Sequence, residues 1–128
     1  RNNSLKFACK DVYLKTENRE TIFSAEISEA TKALKIPIAH GEGNYFADIE
    51  LLKELEANRQ ILFRYSDEDG NVSDENNPNG SQLNIAGIVN KNGNVMGMMP
   101  HPERACDPTL GRTDGQQIFK SIANYILN

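Results

Sequence analysis

The sequence contains no tryptophan, two cysteines and two histidines, and its apolar runs are only a few residues long. Two cysteines, Cys9 and Cys106, do not make the disulfide framework of a small secreted protein, so we expect free thiols in a reducing cytoplasm. Runs this short fall well below the roughly 20 apolar residues of a membrane-spanning helix. No block of Lys and Arg stands out and the formal net charge is −4, so neither nucleic acid nor an anionic membrane is indicated as a partner.

Hydrophobic residues are scarce as well. They make up 38% of the chain and the mean hydropathy is −0.57, which is lean for a parallel sheet covered on both faces. The 128 residues have the length of a single domain. This composition, together with a first residue that is Arg1 rather than Met, predicts that the chain is part of a longer domain.

Local patterns predict strands followed by helices, and therefore an α/β fold. Strands or strand pairs are expected at 5–15, 21–23, 33–39, 61–65, 85–90 and 95–99. Helices are expected over 49–58, capped by Asp48, and from Thr113 or Asp114 to about residue 127. Residues 24–35 fit either a helix or an irregular approach to the next strand. The apolar residues expected to face the sheet are Leu51, Leu52 and Leu55 in the first helix and Ile118, Phe119, Ile122 and Ile126 in the second.

Turn-forming residues separate these elements. Asp67-Glu68-Asp69-Gly70 predicts a hairpin turn, because the string lacks the closing Glu and the other ligands of an EF-hand loop. Residues 73–81, rich in Asn, Pro and Gly, predict a surface loop that is either ordered or mobile. Lys91-Asn92-Gly93-Asn94 predicts a β-hairpin, since Asn-Gly tolerates positive φ.

The stretch Gly97-Met98-Met99-Pro100-His101-Pro102-Glu103-Arg104 carries a candidate catalytic group. Its prolines bias Met99 and His101 toward extended conformations. In an extended chain, side chains two residues apart point the same way, so Glu103 is expected to reach the imidazole of His101. A histidine oriented by a carboxylate handles protons in a nucleophilic triad, whose Ser or Cys must come from elsewhere. An ordinary histidine in a surface loop is the alternative that so short a pattern leaves open.

Three motifs, in this order and spacing, resemble one enzyme family. They are Pro37-Ile38-Ala39-His40-Gly41-Glu42-Gly43-Asn44-Tyr45, then Asn77-Pro78-Asn79-Gly80-Ser81 followed by Asn84-Ile85-Ala86-Gly87-Ile88, and finally the stretch from Met98 to Arg104. Together they resemble the class I glutamine amidotransferases, in particular the glutaminase subunits of phosphoribosylformylglycinamidine synthases in purine biosynthesis. The resemblance extends from Arg1 to Asn128.

This resemblance implies a flavodoxin-like domain, with a mixed sheet and flanking helices, that hydrolyses glutamine and passes ammonia to an ATP-dependent synthetase. It implies that His101 and Glu103 belong to a Cys-His-Glu triad and that Gly41 and Glu42 contact glutamine. His40 is not a triad member in the family, so a structural or interface role and an ordinary loop histidine both remain open for it. The implied partners are glutamine, a large synthetase subunit and a small accessory subunit. No cofactor or metal is implied.

The chain departs from the family at the nucleophile. The family's cysteine sits in a Gly-x-Cys-x-Gly pattern, which occurs nowhere in the 128 residues. Cys9 lies in a predicted strand with no glycine elbow, and Cys106 is nearer to His101 but also lacks the elbow. We therefore expect residues 1–128 to be the C-terminal part of the domain, without its N-terminal strands, and to be inactive alone with half of the triad.

Two other functions are compatible with the sequence. One is a non-catalytic binding or scaffold domain that kept the fold and lost the cysteine. The other is a metal-dependent hydrolase, whose potential ligands are His40, Glu42, His101, Glu103 and Cys106. The chain has neither Cys-x-x-Cys nor His-Glu-x-x-His spacing, so we expect no metal site.

Overall fold

The computed structural model describes residues 8–40, 43–110 and 113–128. In these residues five β-strands form one sheet and two α-helices pack against it. The strands are β1 (Ala8–Thr16), β2 (Leu34–His40), β3 (Ile61–Ser66), β4 (Ile85–Val89) and β5 (Met96–Met98). The helices are α1 (Ile49–Ala57) and α2 (Gln116–Leu127). Short 3₁₀ turns span 74–76, 82–84, 102–105 and 108–110.

The strands lie in the order β2-β1-β3-β4-β5, and each pairing between these described strands is antiparallel. The α/β class that the sequence predicts is confirmed. In this order β3 is the central strand and β5 is an edge strand. The chain that follows β5 therefore leaves the sheet at its edge, and this chain carries His101.

Alternating side chains on β1 and β2 build the main core. Val12 and Leu14 of β1 pair with Ile36 and Leu34 of β2, and all four side chains are buried. Side chains that alternate along a strand share one face of the sheet. Ile118 of α2 joins the same cluster, so α2 covers this face.

The two helices lie on opposite faces of the sheet. Ile61 and Leu62 are neighbours in β3, next to an irregularity in its pairing with β4, and they pack in different clusters. Ile61 packs in one cluster with Leu55 of α1, whereas Leu62 packs in the other with Ile118 of α2. Both predicted helices are thereby confirmed.

The helix starts agree with the sequence in one case only. Asp48 caps α1 as predicted, because its Oδ1 accepts a 2.8 Å hydrogen bond from the N–H of Leu51. The predicted side-chain cap of α2 is wrong, since α2 begins without one. The Asp114 carboxylate instead accepts a 2.7 Å hydrogen bond from the N–H of Lys35 on edge strand β2. Asp114 therefore bonds to a distant strand instead of capping the helix that follows it in the sequence.

Three apolar helix residues predicted to face the sheet are exposed instead. Leu51 and Phe119 are 41% and 43% exposed, because each lies beside the buried stripe rather than on it. Ile126 is 73% exposed, since α2 is exposed from residue 123 onward and nothing covers its last turn. Helical spacing identifies the apolar residues, and the position of the sheet decides which of them it buries.

The strand predicted at 21–23 is wrong, because this segment forms turns. Polar side chains supply the hydrogen bonds that a strand partner would otherwise make. Oδ1 of Asn18 accepts from the N–H of Glu20 at 2.9 Å, and Oγ1 of Thr21 accepts from the N–H of Phe23 at 3.2 Å. Such local bonds compete with strand pairing. Residues 24–33 continue as turns and irregular chain up to β2, which settles the open choice there against a helix.

Both predicted turns form. Asn90 and Val95 close the β4–β5 hairpin through a 3.0 Å backbone hydrogen bond, and Gly93 takes the positive φ of 73° that Asn-Gly allows. Asp67 and Asn71 close the other turn with a 3.0 Å bond. That turn does not lead directly into a hairpin partner, because β4 begins only after the loop over 73–81 and a 3₁₀ turn.

Candidate functional site

His101 lies just beyond the end of edge strand β5. The N–H of Met99 donates to the carbonyl of Ala86 at 2.9 Å and so anchors this exit to β4. The Met99–Pro100 peptide bond is cis, and Pro100 is fully buried. His101 is extended, at φ −77° and ψ 117°, and its side chain is 49% exposed. The backbone that leads to His101 is therefore held against the sheet, while about half of the imidazole side chain is exposed to solvent.

The structure brings His101 and Glu103 together. Nδ1 of His101 lies 3.1 Å from Oε1 of Glu103, whose side chain is 60% exposed. The predicted extended path is wrong, however, because residues 102–105 form a 3₁₀ turn directly after His101. A proline in the first turn of a helix is favourable, since it lacks an N–H that would have no partner there. The turn, rather than strand alternation, folds the carboxylate back toward the imidazole.

This contact defines the chemistry of the imidazole. A carboxylate only accepts hydrogen bonds, so Nδ1 of His101 carries the proton that Glu103 binds. In the neutral ring, Nε2 then keeps a free lone pair and can take a proton. When the ring is protonated, Glu103 also stabilises the positive charge. The pair has the arrangement of a general base with its orienting acid.

The turn over 102–105 is held against α2 by a close backbone contact. The side chain of Ala105 is fully buried, and its carbonyl accepts from the N–H of Gly115 at 2.9 Å. A Cβ added to Gly115 would lie 2.0 Å from the carbonyl oxygen of Pro102. Only glycine fits at this position, and the site therefore depends on where α2 begins.

Sequence reasoning missed Tyr65, which lies beneath the candidate site. Its side chain is fully buried, and its hydroxyl donates to the carbonyl of Met99 at 2.7 Å. The same hydroxyl accepts from Nδ2 of Asn79 at 3.1 Å. Nothing local in the sequence indicates this role, because Tyr65 reads simply as an aromatic strand residue. A buried tyrosine needs a partner for its hydroxyl, but only the fold shows which partner it has.

Residues 41–43 of the first motif, called the glycine loop below, are only partly described. Gly41 and Glu42, the predicted glutamine contacts, lie outside the described residues, and so does the side chain of His40, which ends β2. Gly43 is described, and its carbonyl accepts from Nδ2 of Asn79 at 2.8 Å. The asparagine-rich loop is therefore ordered where it meets the glycine loop.

An apolar cleft lies between this loop and the hairpin that carries His101. Its volume is about 290 Å³. It is lined on one side by Gly43, Asn44 and Tyr45, and on the other by Ile85, Ala86, Gly87, Ile88, Gly97, Met98 and Met99. Each of the three sequence motifs contributes part of this lining: residues 43–45 come from the first, 85–88 from the second, and Met98 and Met99 from the third. The fold thus gathers segments that the sequence separates.

Cys106 does not have the properties of a catalytic nucleophile. Its thiol donates to the carbonyl of Pro102 at 3.3 Å, on the far side of the turn that starts after His101. Burial, and secondarily the negative charge of Glu103, raise the pKa of the Cys106 thiol. A raised pKa leaves less thiolate at neutral pH, which is the reverse of what a nucleophilic cysteine needs. Cys9 lies on β1, and its side chain is outside the described part.

We predict that Cys106 alkylates slowly. In a Cys9→Ser background, the rate of reaction with iodoacetamide is expected to rise with pH at a midpoint above that of a cysteine in an unstructured peptide. Glu103→Gln should move this midpoint down, because it removes a nearby negative charge. A midpoint at or below that of the peptide would contradict the raised pKa.

We predict that the protein loses stability at alkaline pH because Tyr65 is buried. Burial raises the pKa of Tyr65 to about 12, against a smaller lowering by its hydrogen bond from Asn79. Because the unfolded tyrosine loses its proton near pH 10, the stability that the buried phenol contributes is present below pH 10 and is lost as pH rises toward about 12. Urea unfolding between pH 9 and pH 11.5 should show this loss, and Tyr65→Phe should lack the Tyr65 component. Equal pH slopes for the two proteins would refute it.

Among the described residues, no group of three His, Cys, Asp or Glu side chains is placed to hold a metal ion. The same residues contain no helix long and apolar enough to cross a membrane. His101 and Glu103 meet as a pair, with Cys106 turned toward Pro102.

The sequence matches a known family over nearly its whole length. The model of the CobB/CobQ-like glutamine amidotransferase domain matches residues 1–126. This chain belongs to that amidotransferase family. The resemblance in the three motifs is therefore confirmed at the level of the family, and Tyr65, Asn79 and His101 are residues of an amidotransferase fold.

Curated relatives of this amidotransferase chain carry a more specific name. A protein of Chlorobium luteolum is 54% identical over 122 residues, which cover 95% of this chain and 52% of the relative. One of Salinibacter ruber is 52% identical over 126 residues, or 98% of this chain and 53% of the relative. Both are named phosphoribosylformylglycinamidine synthase subunit PurQ.

A solved structure agrees with these relatives. A chain in the structure of PurLQS from Thermotoga maritima superposes with a TM-score of 0.76 at 40% sequence identity, covering 98% of this amidotransferase chain and 51% of its own. The chain thus spans about half the length of the curated relatives and of the solved chain that it matches.

Proposed function

We propose that this chain supplies the histidine and carboxylate of a glutaminase site that releases ammonia for phosphoribosylformylglycinamidine synthase in purine biosynthesis. The observation that carries the proposal is the 3.1 Å contact between Nδ1 of His101 and Glu103, which leaves Nε2 available for proton transfer. The amidotransferase family supports the choice of glutamine, and the names of the relatives support the choice of the synthase, since each is a subunit of that enzyme.

In this proposal the nucleophile comes from a cysteine elbow outside these 128 residues. Its thiolate adds to the side-chain amide carbon of glutamine, and the carbonyl electrons move onto oxygen. When the tetrahedral intermediate collapses, the C–N bond breaks and protonated His101 gives its Nε2 proton to the leaving nitrogen, which departs as ammonia. His101 then takes a proton from water, the hydroxide attacks the thioester carbon, and glutamate leaves as the thiolate is restored. Glu103 holds the imidazole in place throughout.

Gly41 and Glu42 take the role of glutamine contacts in this proposal, next to the described Gly43. The cleft of about 290 Å³ between Gly43 and Met99 leaves room for a ligand or a further chain segment on this side of the sheet, which supports this role. The ammonia passes to a large synthetase subunit assembled with a small accessory subunit, in the cytoplasm. The subunit names of the relatives support such an assembly.

Glutamine hydrolysis by two proteins tests the proposal. One is the 128-residue chain, and the other is the same chain joined, as one polypeptide, to the part of the Chlorobium luteolum relative that it does not cover; we call this the reconstituted enzyme. We expect ammonia and glutamate from the reconstituted enzyme and none from the chain alone. Release by the chain alone that is lost in Cys9→Ser or Cys106→Ser would overturn the proposal, because the nucleophile would then lie within these residues.

A further inference from the structure

A continuous set of hydrogen bonds, made by two buried side chains, connects Gly43 with the segment that carries His101. Nδ2 of Asn79 donates both to the carbonyl of Gly43, at 2.8 Å, and to the hydroxyl of Tyr65, at 3.1 Å. The hydroxyl of Tyr65 donates onward to the carbonyl of Met99, at 2.7 Å. Met99 lies two residues before His101. The side chains of Asn79 and Tyr65 therefore connect two segments, at Gly43 and at Met99, that lie far apart along the chain.

We call the side chains of Asn79 and Tyr65 the bridge. Each of their polar atoms has a hydrogen-bond partner, and both side chains are buried. Tyr65 is 0% exposed and Asn79 is 2% exposed. Oδ1 of Asn79 accepts from both N and Oγ of Ser81, at 3.1 Å and 2.7 Å, so the amide can point only one way. Rotating it would place its NH₂ group against the N–H of Ser81 and its oxygen against the carbonyl of Gly43, and facing donors or facing acceptors are costly in a buried site.

We infer that Tyr65 and Asn79 are positioning residues, which set the distance between Gly43, the neighbour of the proposed glutamine contacts, and His101. The inference rests on the proposed function. Neither side chain is expected to contact the substrate, because both are buried and donate hydrogen bonds to backbone carbonyls. A site that must align a substrate with a proton carrier loses rate when the two are displaced by about 1 Å, by up to roughly 100-fold. The bridge opposes such a displacement.

Two conservative substitutions break the bridge at different bonds. Tyr65→Phe keeps the buried ring and removes the hydroxyl. Asn79→Asp keeps the shape and the acceptor facing Ser81, and replaces Nδ2 with an oxygen that cannot donate. Two controls match them chemically elsewhere in the fold: Tyr125→Phe on exposed α2, and Asn18→Asp, since Asn18 is buried and its Nδ2 donates to the carbonyl of Arg59 at 2.8 Å.

The first readout is independent of catalysis. In the 128-residue chain, backbone amide NMR signals of Asn44 and His101 are monitored in each variant. We expect Tyr65→Phe to shift the Asn44 signal and Asn79→Asp to shift the His101 signal, each beyond the shift in the matched control. If each substitution moves only the signals next to it, the bridge transmits nothing and the inference is overturned, whatever the fate of the proposed function.

The second readout is kinetic and uses the reconstituted enzyme. We expect each bridge variant to lower kcat/KM for glutamine by about 10- to 100-fold, and the double variant to lose little more than either single one, because both break the same connection. Asn18→Asp should lose stability without this effect. Equal kinetic losses in Asn18→Asp, or fully multiplied losses in the double variant, would reduce Tyr65 and Asn79 to ordinary structural residues. An inactive wild-type enzyme would instead refute the proposed function, and the NMR result would stand.

Discussion

Replacing His101 with alanine is expected to lower kcat for glutamine hydrolysis by the reconstituted enzyme by about 10²–10⁴-fold. The imidazole is the group that gives a proton to departing ammonia and takes one from water in the proposed reaction. The side chain is 49% exposed, so its loss leaves no large cavity, and we expect the free energy of unfolding to change by less than about 0.5 kcal/mol. Steady-state ammonia release and urea unfolding of the same preparation give the two numbers.

Glu103→Gln provides the graded comparison. A glutamine of similar size can still contact Nδ1 but no longer supplies the negative charge that stabilises an imidazolium. We expect a smaller loss than for His101→Ala, concentrated in kcat. Lys120→Gln, an exposed charge change on α2, is the control for altered surface charge. Unchanged kcat in His101→Ala would remove His101 from the mechanism.

Gly115→Ala is expected to destabilise the chain by about 1–3 kcal/mol, as overpacking commonly does. Gly115 has φ −65° and ψ −20°, a conformation that alanine adopts freely, so backbone strain does not enter. At such a position glycine-to-alanine normally stabilises a protein by about 0.4–1 kcal/mol. Here the new methyl group would lie 2.0 Å from the carbonyl oxygen of Pro102. A lower free energy of unfolding in Gly115→Ala would therefore show the clash with Pro102, and a higher one would show that the clash is absent.

The consequence of Gly115→Ala extends to the site, because the turn it would push away holds Glu103 against His101. We expect kcat of the reconstituted enzyme to fall although neither side chain is altered. Gly97→Ala is the matched control for stability, since a Cβ there would meet nothing within 4 Å. Urea unfolding should separate the two variants clearly. Equal stability of Gly115→Ala and the parent chain would mean that α2 and the turn move apart without cost.

Local sequence determined the elements whose stabilising contacts are themselves local. The cap of α1 needs only Asp48 and the N–H of Leu51 three residues later. The β4–β5 hairpin needs only Asn90, Gly93 and their neighbours. The alternation that predicted β1 and the apolar run that predicted β2 are each properties of one strand alone. Where the only signal was a short apolar run, as at 21–23, side-chain hydrogen bonds to the nearby backbone prevailed.

The candidate site could be located from sequence but not built from it. The stretch around His101 named the histidine and its carboxylate, and their contact exists, but through a 3₁₀ turn rather than the extended chain that was expected. That turn is held by Gly115, which packs against Pro102 from another element. No local pattern records a contact between backbone segments of this kind.

The sequence by itself determined the family, the α/β class and the identity of the His101–Glu103 pair, because motifs and periodicity are written along the chain. Only the tertiary structure decided the antiparallel strand order and the bridge through Tyr65 and Asn79. The bridge joins Gly43 to Asn79 and Tyr65 to Met99, residues 36 and 34 positions apart. Buried polar groups must find partners, and over such separations the folded chain alone determines which partners they find.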